Sequence, residues 1–308
     1  MSDLKIVSLL PSATEIVCAL GLQHTLVGRS HECDFPEEVK QLPVCTEAHI
    51  PDGLSSADID KKVKEILADA LSVYSVNREV IKELQTDVVI TQAQCDVCAV
   101  SLPEVEQALT DYLDKPVKII SLQPNSLDDI LNYIKGVATA LNVSQQGEQL
   151  VEDLQERIDI IRHKLKFIET KPTVACIEWL EPLMISGNWV PELVSLAGGE
   201  PVLAVTGKHS PYVNWDDIVA ANPDIIVVMP CGFGIERTMR EMGLLLQQTS
   251  FADLKAVKNN RLYIADGNQY FNRPGPRIVD SVEILAEIIN PKQFIFGYEG
   301  NGWVKFAV

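Results

Sequence analysis

Short β-branched runs alternate along the chain with longer segments whose apolar residues recur every three or four positions. The runs are Lys5-Ile6-Val7-Ser8-Leu9, Asp87-Val88-Val89-Ile90-Thr91, Val117-Lys118-Ile119-Ile120, Thr173-Val174-Ala175-Cys176-Ile177, Ile225-Ile226-Val227-Val228-Met229 and Arg261-Leu262-Tyr263-Ile264. Apolar runs of this kind between helices mark buried parallel strands, so the fold class is α/β. After the first run, Ser12 or Thr14 is expected to cap a helix through Ile16 and Leu20 that stops at Gly21, a natural residue for the first position past a helix.

A faint internal repeat organises the chain. Ile16 to Gly21, then Thr25-Leu26-Val27-Gly28, is echoed by Leu193 to Gly198, then Val202-Leu203-Ala204-Val205. Ile81 to Asp87, leading into Val88-Val89-Ile90, is echoed by Ile218 to Asp224, leading into Ile225-Ile226-Val227. The first echo is offset by 177 positions and the second by 137, so the first half carries an insertion of 40 residues. That insertion fits residues 45–77, with an extra helix through Val63, Ile66, Leu67 and Leu71. Between the halves, Leu150, Leu154, Ile158, Ile161, Leu165 and Ile168 trace one long helix after Ser144. About 25 residues at 1.5 Å give roughly 37 Å, enough to cross a small domain. The expected organisation is a lobe at 1–143, a linking helix at 144–170 and a lobe at 171–308, with limited hinge motion at a cleft.

Charge narrows the partners. Lys plus Arg number 26 against 43 Asp plus Glu, a net charge of −17, which argues against nucleic acid and against polyanionic membrane surfaces. No apolar stretch approaches the ~20 residues of a transmembrane span. Met1-Ser2-Asp3-Leu4-Lys5 does not read as a signal peptide, so the expected location is cytoplasmic, or periplasmic if an export signal has been trimmed. Seven scattered cysteines suit reduced thiols better than a disulfide framework.

The stretch from Ile6 through Pro11-Ser12-Ala13-Thr14-Glu15, with Ala19-Leu20-Gly21, Leu26-Val27-Gly28-Arg29-Ser30 and Asp34-Phe35-Pro36, resembles the opening of the substrate-binding proteins for cobalamin, iron-siderophores and haem. Gly187 to Gly199, Asn222-Pro223-Asp224-Ile225-Ile226-Val227 and Arg273-Pro274-Gly275-Pro276-Arg277 resemble that family's second lobe. The resemblance covers nearly the whole chain, and the cobalamin binders look nearest. It implies two Rossmann-like lobes with mainly parallel sheets, joined by one long backbone helix, and a small-molecule ligand in the cleft. The chain departs from the family's usual pattern in three ways: the missing signal, the insertion, and the segment Gln92-Ala93-Gln94-Cys95-Asp96-Val97-Cys98-Ala99-Val100-Ser101. Of the family's importer-docking glutamates, only Glu104 falls in a suitable region. These departures count against an ABC importer as partner.

In α/β sheets ligands sit beyond the carboxyl ends of strands, so the loops there are the candidate site. Ser12 and Thr14 offer hydroxyls in the first, or else cap the helix. His31 and Glu32 lie in the second, and the repeat sets His31 opposite His209. A neutral imidazole at either position suits the metal of a tetrapyrrole. The third loop follows Gln92 and holds Cys95 and Cys98. There a capping box of Ser101 with Glu104 starts a helix whose amino terminus lowers thiol pKa values. Cys33, Cys45 or His31 would complete a zinc or iron site with them. In the second half, Glu178, Trp179, Trp189, Tyr212, Trp215, Phe233, Tyr270 and Phe271 stand at or beside strand ends. Walls of this kind suit a flat, largely apolar ligand, with Arg273 and Gln92 at its polar edges.

The leading expectation is a binding protein for a corrinoid-like or other metal-chelate ligand. The alternatives are a cytosolic thiol or metal protein using Cys33, Cys95, Cys98 and a His, and an enzyme on a small ligand. With no Ser-His-Asp order, P-loop or HExxH, a binding role is favoured over catalysis.

Overall fold

The computed structural model describes residues 4–51, 53–68, 73–92, 105–106 and 116–307. The chain divides into two compact units. Unit 1 takes Met1–Leu54, Asp58–Pro124 and Asp129–Glu152; unit 2 takes Ser55–Ala57, Asn125–Asp128 and Asp153–Val308.

In unit 1, β1 (Ile6–Ser8) leads into α1 (Pro11–Ala19), followed by β2 (Leu26–Arg29). The insertion supplies β3 (Thr46–Ala48), α2 (Ser56–Ala68) and β4 (Tyr74–Val76), and α3 (Arg78–Leu84), β5 (Val88–Gln92) and β6 (Lys118–Leu122) follow. The main sheet runs β2-β1-β5-β6, parallel throughout, with Val7 opposite Val89. Val7, Leu9, Val89, Ile81 and Cys45 form its buried core, so the apolar runs are strands because both faces are covered. The insertion is more than the expected helix, since β3 and β4 pair antiparallel and set Thr46 opposite Val76. Helices α4 (Leu127–Ala140) and α5 (Ser144–Leu165) follow; α5 ends five residues short of the expected 170.

The capping of α1 differs from expectation. Pro11 occupies the first helical turn, which its fixed φ favours, and Leu10 takes the cap position without a side-chain bond. Ser12 and Thr14 therefore lie inside the helix. The Thr14 hydroxyl, fully buried, lies 2.8 Å from Ser8 Oγ and 3.1 Å from Cys33 Sγ, pinning the helix to the end of β1. Thr14→Val is expected to cost about 1–2 kcal/mol in urea denaturation, because it removes buried contacts to Ser8 Oγ and Cys33 Sγ. An unchanged midpoint would remove the pin from the account. Gly21 ends the helix at φ +77°, the left-handed conformation expected there.

Unit 2 repeats the plan. It contains β7 (Thr173–Trp179), β8 (Met184–Ile185), α6 (Val190–Leu196), β9 (Glu200–Pro201), α7 (Trp215–Ala221), β10 (Ile225–Val228), α8 (Ile235–Glu241), β11 (Leu262–Ala265), α9 (Ile278–Ile289) and β12 (Trp303–Lys305). Strands β9, β7, β10 and β11 are parallel neighbours in that order, as are β2, β1, β5 and β6 in unit 1. Strands β8 and β12 add antiparallel edges that the apolar pattern does not announce. The two Asp residues of the repeat do the same work. Asp87 accepts the backbone N–H of Lys5, and Asp224 that of Thr173, each at 3.0 Å, tying the strand's start to its parallel neighbour. The Thr173 N–H holds the Asp224 carboxyl below the usual carboxylate range. Among the described residues, no helix is long and apolar enough to cross a membrane.

Candidate functional site

In unit 1 the strand-end residues are organised by the inserted ribbon. Thr46 Oγ1 accepts the backbone N–H of His31 at 3.0 Å and lies 2.7 Å from its Nδ1. The Thr46 hydroxyl also lies 3.2 Å from Ser30 Oγ, so one threonine ties the loop's backbone, its imidazole and the preceding serine together. The shared contacts with Thr46 and Ser30 fix the position of the imidazole at the end of β2. The Tyr74 ring lies 5.1 Å from that of His31, and its hydroxyl donates to Glu32 Oε1 at 3.2 Å. His31 and Glu32, expected from the sequence, are therefore held half-buried by Thr46 and Tyr74, which were not.

The other unit 1 candidates divide. Gln92, at the end of β5, is 7% exposed, and Ser12 is 2% exposed with its Oγ lacking a hydrogen-bond partner among the described residues. Thr14 is committed internally. Cys33 is buried and takes the Thr14 bond, and Cys95 and Cys98 lie outside the described residues, as do Ser101 and Glu104. Among the described residues, no three His, Cys, Asp or Glu side chains are gathered as a metal site. Cys45, offered as a further ligand, has its thiol pushed up to about 12, chiefly by burial.

Unit 2 builds a layered wall at the end of β7. Trp179 is half-buried; its ring lies 5.2 Å from Phe233, and the Arg237 guanidinium lies 3.8 Å from the Phe233 ring centre on α8. The indole Nε1 donates to the carbonyls of Ser56 at 3.2 Å and Glu181 at 3.1 Å, which fixes the ring plane. One residue earlier, both Glu178 oxygens lie 3.0 Å from Ser210 Oγ, which also accepts the N–H of Gly187 at 3.0 Å. A Cβ at Gly187 would sit 2.6 Å from Ser210 N, so only glycine lets the two loops approach this closely. His209 is exposed and donates from Nδ1 to the Ser210 carbonyl at 3.2 Å. The loops of His31 and His209 each follow a parallel edge neighbour, β2 of β1 and β9 of β7, as the repeat requires.

After β11, Asp266 accepts the N–H groups of Asn268 and Gln269 at 2.9 and 2.7 Å and caps the turn at Gly267–Phe271; burial raises its carboxyl pKa. This turn leaves Tyr270 half-buried, with the Arg277 guanidinium 5.5 Å from its ring centre. It turns Phe271 inward to complete burial, so the expected wall role fails for that side chain. Trp189 is 7% exposed and spends its Nε1 on the Phe271 carbonyl at 2.9 Å, acting as a strut. Arg273 is likewise buried, donating to Asn268 Oδ1 at 3.2 Å. Trp215 packs on Phe251 and donates to the Thr249 carbonyl at 2.8 Å. Trp179, Tyr270 and Tyr212 remain as aromatic surface, with Phe233 as backing. Arg237 and Arg277 were missed; Arg237 stands four residues after Phe233, a readable signal, whereas Arg277 reaches Tyr270 across seven residues that include Pro274 and Pro276.

Comparison with known proteins is consistent in kind. A family model described as "Periplasmic binding protein" matches residues 6–268. An uncharacterized ABC transporter substrate-binding lipoprotein of Bacillus subtilis (strain 168) is 25% identical over 298 residues, covering 94% of this chain and 81% of the relative. A vitamin B12-binding protein of Vibrio parahaemolyticus serotype O3:K6 is 24% identical over 284 residues, covering 92% and 88%. Among solved structures, a periplasmic heme-binding protein from Pseudomonas aeruginosa superposes with a TM-score of 0.74 at 18% identity, covering 99% of this chain and 98% of that one.

Proposed function

The chain belongs to the periplasmic binding protein family, and on that premise we propose that its ligand is a corrinoid-like or other flat metal chelate. The observation that carries this reading is the Trp179–Phe233–Arg237 layer. It combines a half-exposed indole, locked by two hydrogen bonds, with an aromatic and a cation beneath it. An indole held flat offers a macrocycle a broad apolar face at little cost in side-chain entropy. Tyr270, backed by Arg277, adds a second surface of the same chemistry. His209 Nδ1 donates to the Ser210 carbonyl, which leaves Nε2 as the ring atom that would meet a ligand's metal, and His31 stands in the repeat-related loop of unit 1. The metal would arrive with the ligand as cargo.

Titration of purified protein with cyanocobalamin, haem and a ferric siderophore, followed by absorbance and tryptophan fluorescence, tests the reading. Saturable one-to-one binding of a macrocycle at on the order of micromolar or tighter is expected. A spectral shift on binding would report approach of a His to the metal. Failure of all three at roughly hundredfold higher concentration would refute the chelate reading and leave family membership standing.

A further inference from the structure

The two most exposed large hydrophobic side chains among the described residues are Ile295, at 90%, and Phe167, at 83%. Both belong to unit 2. Phe167 follows the end of α5, and Ile295 sits at the tip of the loop after α9. The two segments meet: the Lys164 ammonium lies 5.4 Å from the Phe294 ring centre, and Phe294 stacks on Phe296 at 5.6 Å and 12°. Gly198 lies beneath them, where a Cβ would be 2.9 Å from Asn290 Nδ2 and 3.0 Å from a Leu165 methyl. Ile160, one turn before Lys164, is 48% exposed and extends the apolar surface.

The charges here reverse the sign of the chain. Residues 160–171 carry Arg162, Lys164, Lys166 and Lys171 against Glu169 alone, in a protein whose net charge is −17. Arg162 is paired with Asp159, whereas Lys164, Lys166, Lys171 and Lys292 make no ion pair with a described carboxylate. The Lys166 ammonium instead lies 5.7 Å from the ring centre of Phe167. Protruding aromatic and branched side chains ringed by unpaired lysines are the chemistry of an anionic lipid interface, where apolar tips enter the acyl boundary and ammonium groups meet headgroup phosphates. The global charge does not oppose this, because the Debye length of about 8 Å at physiological salt screens acidic residues elsewhere on the surface.

We propose that the Phe167–Ile295 face of unit 2, with its lysine rim, docks on an anionic lipid surface. The test is flotation of the full chain with vesicles of phosphatidylglycerol and phosphatidylcholine, against vesicles of phosphatidylcholine alone. Binding is expected to the anionic vesicles only, and to weaken as salt is raised. Phe167→Ser with Ile295→Ser, and separately Lys166→Glu with Lys171→Glu, should each lower the partition coefficient by roughly tenfold or more. All four positions are exposed, so both variants should keep the far-ultraviolet circular dichroism of the parent. Absence of flotation in low salt, or equal flotation of parent and variants, overturns the proposal. So does a dimer of the parent chain that the Phe167→Ser, Ile295→Ser variant dissolves, which would assign the face to a second copy. Ligand titration is unaffected by either substitution pair, so failure here is separable from failure of the chelate reading.

Discussion

Arg157→Met is expected to lower stability by about 2–4 kcal/mol at neutral pH, and the deficit should shrink as the solution is acidified. Arg157 projects from α5 into two carboxylates of α9: Nη2 lies 2.5 Å from Asp280 Oδ1 and 2.7 Å from Glu283 Oε2, and Nε lies 2.9 Å from Glu283 Oε1. The Asp280 and Glu283 side chains are only 17% and 9% exposed, so removing the cation strands two buried negative charges one helical turn apart. The guanidinium itself is 37% exposed, which places the cost below the ~3–5 kcal/mol of a fully buried broken pair. The pH dependence follows from Asp280, whose carboxyl is raised above its ordinary 3.8 by burial even with Arg157 in place. A raised carboxylate stabilises the fold fully below its unfolded pKa, and that contribution is lost as pH rises through the folded one. Without the guanidinium the Asp280 carboxyl rises further, so the deficit is largest at neutral pH and falls between there and about 3.8. Tyr298, whose hydroxyl donates to Glu283 at 2.9 Å, keeps one carboxylate partner in the variant. Urea denaturation at several pH values checks both sign and size. A change within about 0.5 kcal/mol at neutral pH would class Arg157 as an ordinary surface residue.

The repeat was legible because its signals are local and physical. Asp87 and Asp224 each lead a strand because a carboxylate there can take the neighbour's first N–H. Gln85 and Asn222 each end the preceding helix at positive φ, 51° and 42°. The apolar runs that became β1, β5, β7, β10 and β11 are buried on both faces and so carry no competing polar period. The unread elements lack such signals. β8 and β9 are two residues each, and β12 is an antiparallel edge strand of three. The cap expected at Ser12 or Thr14 falls at Leu10, two residues before Ser12, because Pro11 opens the helix. For the candidate site, position in sequence marks the strand-end loops but not which side chains face out. Trp179 and Trp189 look alike as residues near a strand end, and both indole N–H groups find carbonyls, yet Trp189 is buried and Trp179 is half-exposed. Thr46 and Tyr74 escaped notice because they reach His31 through a ribbon closed by β3 and β4, a pairing across 26–30 residues that no local pattern encodes.

Net charge bears on the proposed docking face only through its local part. Summed over the chain it argues against any anionic surface, but recognition samples charge within a Debye length. The proposed docking therefore rests on the lysines after α5 and not on the sum over the chain.

Trp179→Ala is expected to weaken binding of a flat macrocycle by about 30-fold or more, with little change in the His-dependent part of its spectrum. The indole is the one large aromatic of the wall that is half-exposed and held by two N–H contacts, so its loss removes a preorganised face rather than a mobile one. Trp179→Phe keeps the tilted ring contact with Phe233 but gives up the Nε1 bonds, and should recover part of the affinity. Arg237→Gln should cost less than Trp179→Ala, because Arg237 touches Phe233 and would act on the ligand only by positioning that ring. Trp215→Phe serves as the control, since Trp215 is occupied with Phe251 and the Thr249 carbonyl. Matched melting temperatures across the set would separate a lost contact from a lost fold. If Trp179→Ala and the parent bound a macrocycle equally, stacking on this wall would be excluded as the source of affinity. The ligand would then owe its affinity to groups such as the Glu178–Ser210 pair, which favour polar, hydrogen-bonding chemistry over a flat apolar face.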